Sequence, residues 1–395
     1  MAISEVAIVG GGIAGCTIAR QLARKGARVR LLEQQSIAAG ASGRNAGLLH
    51  AAEGGPDVAR MMRASWSVYA ELEDGPVNIE KVTLDQLLLA TDPQQFEAGK
   101  TIARQIAGDS RGFRVDAVEA QELRREYPQL NPDLAGGFLV HDVWMIDPAS
   151  ATRAFAEAAR LAGAQVSAGE KVGKIVRRSG RVEGVLTDSG RIAADVVIVA
   201  TGSRLTDLLP SMPITVGRGW MMRIGGLDFD LPVLEEMSRS WISIEGQGTA
   251  TRPPALTEVA AGGYDVPTVV AFAYLPKGKG VGIVGTSVAR SLKDAVEGVD
   301  MPQRIARLAL EFVPAFAKAH TEAAWFGERP MTPDGMPIAG PLPEAGLWVH
   351  GGHGTFGMLA APATAAWLAA AIEGEPASPH LAALDPMRFE AAVRA

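Results

Sequence analysis

A single cysteine, Cys16, in 395 residues excludes an internal disulfide, and no Cys/His cluster has the spacing of a zinc site. Basic excess is also missing. There are 38 Lys and Arg against 44 Asp and Glu, a net charge of −6, without a concentrated basic stretch, so no nucleic acid partner is expected. No apolar run is long enough to span a bilayer. The first, Val6 to Val9, stops at Gly10 and lacks the basic start and small-residue cleavage site of a signal peptide. The most apolar late stretch, Leu359 to Ile372, contains Pro362 and falls short of the ~20 residues a span needs. It reads as a buried helix, and the protein reads as cytoplasmic. Aromatic residues make up only 6%, yet hydrophobic residues at 47% suffice for several cores, and the length predicts two to three units at about 150 residues each.

Glycine is the residue in excess: 45 of 395, against a usual share of roughly 7%. Its first cluster is informative. Glu5 to Val9 is a β-branched run suited to a strand buried on both faces, and it leads into Gly10-Gly11-Gly12-Ile13-Ala14-Gly15. In this G-x-G-x-x-G pattern Gly10 makes the tight turn, Gly12 admits a pyrophosphate to the backbone, and Gly15 lets helix and strand pack closely. Unpaired N–H groups at the helix start, from Ile13 and Ala14 onward, favour the anion. Ile18, Leu22 and Ala23 continue the apolar helix face, and Ala27 to Leu32 forms a second strand ending at Glu33-Gln34. Glu33 lies 18 residues after Gly15, placed to accept hydrogen bonds from adenosine ribose hydroxyls and to disfavour a 2′-phosphate. The expectation is a dinucleotide site, with Cys16 a small packing residue on the first helix.

The segment Gly40-Ala41-Ser42-Gly43-Arg44-Asn45-Ala46-Gly47-Leu48-Leu49 is too small and Gly-rich for a helix interior. Here the chain resembles the D-amino acid oxidase family of flavoproteins. The resemblance implies FAD rather than NAD, with Ser42 to Leu48 running along the pyrophosphate and flavin ring. Further landmarks follow in the same order. Asp147-Pro148 opens an amphipathic helix, and Val172, after Glu170-Lys171, stands where the family meets adenine through its main chain. The apolar strand Asp195 to Val199 ends in Ala200-Thr201-Gly202, which the resemblance places beside the adenosine.

The sharpest likeness is Gly327-Glu328-Arg329-Pro330-Met331-Thr332-Pro333-Asp334, similar to the family's R-P-x-T-P-D box. It implies that Arg329 clamps a substrate carboxylate, a task for a planar guanidinium with two charge-assisted hydrogen bonds. A salt bridge pinning the two domains is the other reading of Arg329. Gly352-His353-Gly354-Thr355-Phe356-Gly357-Met358 resembles the segment whose helix N-terminus faces the flavin, with His353 a candidate contact to substrate or flavin. Strand-like stretches around Trp220-Met221-Met222, Trp241 to Ile244, Val269 to Leu275 and Val281 to Val284 predict an antiparallel sheet roofing the flavin. By the same analogy Leu48, His50, Trp220, Met222, Trp241, Tyr264 and Tyr274 are candidate pocket walls, Tyr274 with its hydroxyl near the carboxylate.

The expected fold is therefore α/β: a Rossmann-like FAD-binding domain from 1–85, 142–210 and 325–395, and a mostly antiparallel substrate domain from 86–141 and 211–324. FAD is expected to be noncovalent, because the only cysteine is Cys16 and Arg44 stands where some family members have a linking histidine. The chemistry implied is oxidation of the Cα–N bond of a small amino acid (a D-amino acid, glycine or an N-alkyl glycine) by hydride transfer, giving an imine and then a keto acid. No second acidic site for a basic side chain is evident, which favours a small or apolar substrate. Ile283 stands where sarcosine oxidases carry a lysine implicated in dioxygen activation, so the acceptor is dioxygen or another carrier. Two alternatives stay open: a flavoprotein subunit of a dehydrogenase complex passing electrons to a quinone or protein, and a non-catalytic dinucleotide-binding protein. A homo-oligomer or a peripheral electron-transfer partner is compatible with each.

Overall fold

The computed structural model describes residues 5–49, 55–108, 113–237, 269–288, 301–376 and 378–389. One six-stranded sheet is built from β1 (Glu5–Val9), β2 (Arg28–Glu33), β7 (Gln165–Ala168), β11 (Val196–Val199), β17 (Ile338–Pro341) and β18 (Leu347–Gly351), in the order β17-β18-β11-β1-β2-β7. All neighbours are parallel except the edge pair β17–β18. The alternation along β1 explains its unbroken apolar run. Val6 and Ile8 face one core with helices α1 (Ile13–Arg24), α5 (Pro148–Leu161) and α8 (Gly357–Ile372), whereas Ala7 and Val9 face a second core. That second core is covered by a three-stranded antiparallel sheet of β8 (Val172–Arg178), β9 (Arg181–Thr187) and β10 (Gly190–Ala193). This is the α/β, Rossmann-like half that the first fingerprint predicts.

A nine-stranded sheet faces it. Its strands are β3 (Leu48–Leu49), β4 (Lys81–Ala90), β5 (Val115–Glu119), β6 (Gly136–Ile146), β12 (Thr215–Gly225), β13 (Val233–Glu236), β14 (Val269–Pro276), β15 (Val281–Val288) and β16 (His320–Met331). The path runs β16-β12-β15-β14-β13-β4-β6-β3, antiparallel except at β13–β4, with β5 added on β6. Helix α7 (Met301–Phe312) covers one face through Met222, Ile224, Phe272 and Tyr274. The expected divisions at 85/86, 141/142 and 324/325 fall inside β4, β6 and β16, each of which lies wholly in the nine-stranded sheet. Helices α2 (Gly55–Glu73), α3 (Pro93–Gly108), α4 (Ala120–Glu126) and α6 (Leu205–Leu208) complete the framework. Among the described residues no helix is long and apolar enough to cross a membrane, and no group of three acidic, His or Cys side chains is arranged to hold a metal.

Helix α8 shows how a local sequence defect is repaired. Pro362 has no N–H, so the carbonyl of Met358 lacks its helical donor. The buried Tyr69 hydroxyl of α2 donates to that oxygen at 2.9 Å, and the next N–H, on Ala363, donates to Ser65 Oγ at 3.0 Å. Two side chains on one helix thus stitch the interrupted turn of another. Burial with no neighbouring charge pushes the Tyr69 phenol far up, keeping it a neutral donor.

Candidate active site

A cavity of about 540 Å³ lies between the two large sheets, and a smaller one of about 250 Å³ adjoins it, sharing Gly10, Glu33, Gln34, Thr201 and Arg204. Together they make one elongated cleft that begins at the carboxyl ends of the parallel strands, where ligands of open α/β sheets bind. The floor is mostly backbone. Gly12, with extended φ/ψ, caps α1, and Gly15 is required one turn later, because a Cβ there would stand 1.8 Å from the Gly10 carbonyl oxygen. Glu33 at the end of β2 accepts from the N–H of Gly11 through Oε2 and of Gln35 through Oε1, both at 2.7 Å. Its carboxylate is thereby fixed at the junction of the two cavities, with lone pairs to spare for hydroxyl donors.

The loop after β2 folds back on α1. Ser42 Oγ accepts from Ile13 N–H at 2.9 Å, and the Asn45 side chain closes the loop on itself, accepting from Gly47 N–H and donating to the carbonyls of Ala41 and Ser42. Trp325 Nε1 of β16 donates to the Arg44 carbonyl, tying the loop to the roof. Ser42, Arg44, Asn45, Ala46, Gly47 and Leu48 all line the large cavity, and so do Ile13 and Ala14. Across from them are Ala200, Thr201 and Gly202, then Gly327, His353, Gly354, Thr355, Phe356, Gly357 and Met358, while Val172 lines the smaller cavity. Gly15, Gly43 and Gly352 stand behind this lining, packed on Gly10, Ala38 and Thr332.

Arg329 reaches the cavity from β16 by lying across β12. Gly219 makes that path possible, since a Cβ there would sit 1.9 Å from Arg329 Nη1. The guanidinium donates from Nη1 to the Ser287 carbonyl at 3.0 Å and from Nη2 to Thr286 Oγ1 at 3.1 Å, which fixes the plane of the fork. These two partners come from the Gly285-Thr286-Ser287 strand end on β15. The carboxylate of the adjacent Glu328 is engaged elsewhere, by Arg218 and by Ser203 Oγ.

The roof corrects three expectations by one residue of register. Gly219, Met221, Ala273 and Leu275 line the cavity, so the residues between them point the other way. Tyr274 is 2% exposed and packs with Phe316, 5.2 Å between ring centroids, in the core beneath α7. Burial, helped by Asp230, pushes its phenol up to about 12, and its hydroxyl is not at the carboxylate site. Met222 lies in the same core, and Trp220 packs against it and against Phe326. His50, Trp241 and Tyr264 lie outside the described residues, as does the strand expected at Trp241 to Ile244. Ile283 belongs to an apolar cluster with Met145, Met221, Val233 and Leu275 on the cavity side of the roof.

His353 is in the lining but 5% exposed, and its Nε2 is 3.0 Å from Thr364 Oγ1. A second histidine, His350, escaped the motif reading. It is fully buried between the Ala14 carbonyl (3.1 Å) and the same Thr364 hydroxyl (2.8 Å), and the two rings meet edge-on at 4.9 Å. Burial pushes His350 down to about 4, and burial together with His350 holds His353 well below the usual range. Both rings are therefore neutral at pH 7 and serve to join α1, β18 and α8 at the wall of the cavity, which both residues line. Cys16 is buried, its thiol 3.5 Å from the Gly11 carbonyl and pushed far up by burial, as a packing residue would be.

The floor suits FAD on its own geometry. Thr201 Oγ1 is buried at the junction of the two cavities without a protein partner, the glycines leave backbone open, and two helix N-termini, of α1 and α8, converge on the cleft. Fold and cleft together define a dinucleotide-binding oxidoreductase with a β-sheet roof over the cofactor. The comparisons agree: residues 5–371 match the family described as DAO, FAD dependent oxidoreductase, and the chain belongs to that family. The chain is 31% identical over 398 residues to a bifunctional protein ThiO/ThiG of Synechocystis sp., covering 98% of this chain and 54% of that protein. It thus spans about half the length of the first curated relatives it matches. To the glycine oxidase of Pseudomonas putida it is 26% identical, covering 91% of this chain and 92% of that one. The crystal structure of glycine oxidase from Bacillus cereus superposes with a TM-score of 0.76 at 23% identity, covering 96% and 98% of the two chains, a likeness of fold.

Proposed function

We infer that this protein oxidises the Cα–N bond of an amino acid, with FAD held noncovalently in the cleft. The observation that carries the reading is Arg329, the only arginine lining the cavity from the roof sheet among the described residues, its fork oriented by Thr286 and Ser287. A carboxylate bound there is held by charge-assisted hydrogen bonds, and holding it fixes where the Cα–H points. FAD, when bound, supplies the two-electron acceptor for hydride. The protein's part is alignment, desolvation by the apolar roof of Met221, Ala273 and Leu275, and binding of the amine in its unprotonated form. The imine product then takes up water to give a keto acid and ammonia or an amine.

For the residues holding the cofactor, Glu33 suits the ribose, Thr201 the adenosine side, and the backbone from Gly12 to Ala14 the phosphates. The Cys16 thiol, buried beneath this floor, is not placed for a covalent link. A carrier other than dioxygen is favoured by Ile283, which stands in an apolar cluster with Met145, Met221, Val233 and Leu275 at the place where sarcosine oxidases carry a lysine. The experiment is an anaerobic titration of the flavin-loaded protein with glycine, sarcosine and D- and L-amino acids, followed by air. Loss of the oxidised flavin bands with one class is the expected result, with slow recovery of colour in air. Flavin that no amino acid or amine bleaches overturns the reading, and rapid recovery with peroxide makes the protein an oxidase.

A further inference from the structure

The carboxylate and guanidinium side chains that line the large cavity, among the described residues, are Glu33, Glu235, Glu328, Arg44, Arg204 and Arg329. All but one are engaged within the protein. Glu33 accepts from two N–H groups, Glu235 from Gln86, and Glu328 from Arg218 and Ser203. Arg204 donates to Asp207 at 2.9 Å, and Arg329 to Ser287 and Thr286. The exception is Arg44, whose exposed side chain has no hydrogen bond or ion pair among the described residues.

The Arg44 main chain, by contrast, is fixed. Its N–H donates to the Ala41 carbonyl at 3.1 Å, and its carbonyl accepts from Trp325 Nε1 at 3.2 Å. The root of its side chain rests on Gly327 of β16, where an added Cβ would stand 3.5 Å from Arg44 Cβ. Gly327 pairs directly with Gly219 of β12, the glycine over which the Arg329 guanidinium lies. One pair of glycines thus seats both arginines on the same face of the roof, with the Arg329 guanidinium and the Arg44 root about one strand spacing apart, roughly 5 Å. The loop meanwhile leaves the floor at Ser42, which bonds Ile13 at the start of α1, and meets the roof at Arg44. Arg44 therefore stands beside the carboxylate clamp and away from the helix start that suits phosphate. Two guanidinium groups sharing a wall repel each other. A ligand with two negative charges relieves that repulsion, whereas a single carboxylate answers only Arg329.

We propose that Arg44 is a specificity-determining residue that receives a second carboxylate of the substrate, making the substrate an amino acid with an acidic side chain. This rests on the reading of Arg329 as the clamp for the first carboxylate. It departs from the small or apolar substrate that the sequence favours, because the nearness of Arg44 to Arg329 comes from the Gly219–Gly327 pairing and not from any local motif.

The test uses the flavin-loaded protein and two unreactive probes of equal chain length, glutarate and pentanoate, followed by perturbation of the flavin spectrum. Wild-type protein is expected to bind the dicarboxylate at least about tenfold more tightly, a preference that weakens with salt. Arg44→Met is expected to abolish the preference with flavin content unchanged, and Arg44→Lys to keep part of it. In anaerobic flavin reduction, glutamate or aspartate is expected to exceed its own amide in kcat/KM, mainly through KM, and to lose that lead in Arg44→Met. Equal binding of the two probes by wild-type protein, or a preference retained in Arg44→Met, overturns the assignment. Weaker flavin binding in Arg44→Met with the preference intact also overturns it and gives the arginine to the cofactor. Reduction by neutral amino acids with no lead for acidic ones sinks this inference and leaves the Proposed function standing, whereas no reduction by any amino acid or amine removes both.

Discussion

The floor and the roof of the cleft are built on different principles. The floor binds with main chain: glycines at 10, 12 and 15, two helix starts, and one carboxylate, Glu33, fixed by N–H groups on both oxygens. The roof binds with side chains that alternate between the cavity and the core under α7. A main-chain site tolerates no added atoms but is indifferent to register, while a pleated wall accepts many side chains and reverses its meaning if the register slips by one.

The sharpest test of this contrast is Arg329→Leu. It removes the proposed carboxylate clamp and is expected to lower kcat/KM for flavin reduction by about 10³-fold, the scale of a few kcal/mol for a lost charged pair, with flavin content unchanged. Coincident loss of flavin would show that the arginine serves the floor instead. Gly219→Val attacks the same clamp indirectly. Its side chain would occupy the path of the guanidinium, so kcat/KM should fall by about 10-fold to 10²-fold, mainly through KM, at intact flavin absorbance.

Tyr69→Phe acts on the floor's support. It leaves the Met358 carbonyl without its donor and should cost about 1–3 kcal/mol, measured as a lower midpoint in denaturant. Lowering the pH acts there too. His350 and His353 titrate below 6.5 in the folded chain, so the unfolded chain binds more protons as pH falls from 6.5 towards about 4. Their contribution is complete above 6.5 and is lost through that window, and Tm should fall with it. A His350→Asn, His353→Asn variant should show a flatter profile. Smallest of all is Tyr274→Phe, expected to change flavin reduction less than about twofold, since its ring faces the α7 core. A large loss of turnover there would mean the roof register is wrong.

The same contrast explains what could be read from the chain. The strand-glycine-helix unit, the loop from Gly40 to Leu49, the Asp147-Pro148 helix start and the box around Arg329 were legible because each is a local backbone instruction. Asp147 indeed caps α5 by accepting from Ser150 N–H at 2.6 Å. The roof strands were recognisable as strands, but Trp220, Met222 and Tyr274 were placed on the cavity by family analogy, which locates a strand without saying which of its two faces a residue takes. The chain gives those residues to the core and leaves smaller Gly219 and Ala273 to the cavity. His350 carried no signal, because its partners, Ala14 and Thr364, are brought to it only by the packing of α1 and α8.

The alternation of β12 and β14 has a consequence for how such a protein can change over generations. Each roof residue answers to one master, the cavity or the core, and neighbours in the chain answer to different ones. Replacements at Ala273, Leu275 or Met221 can reshape what the enzyme accepts while Phe272, Tyr274 and Met222 keep the sheet on its helix. Substrate range and foldedness can thus drift separately on the same strand, a separation the glycine-built floor does not allow.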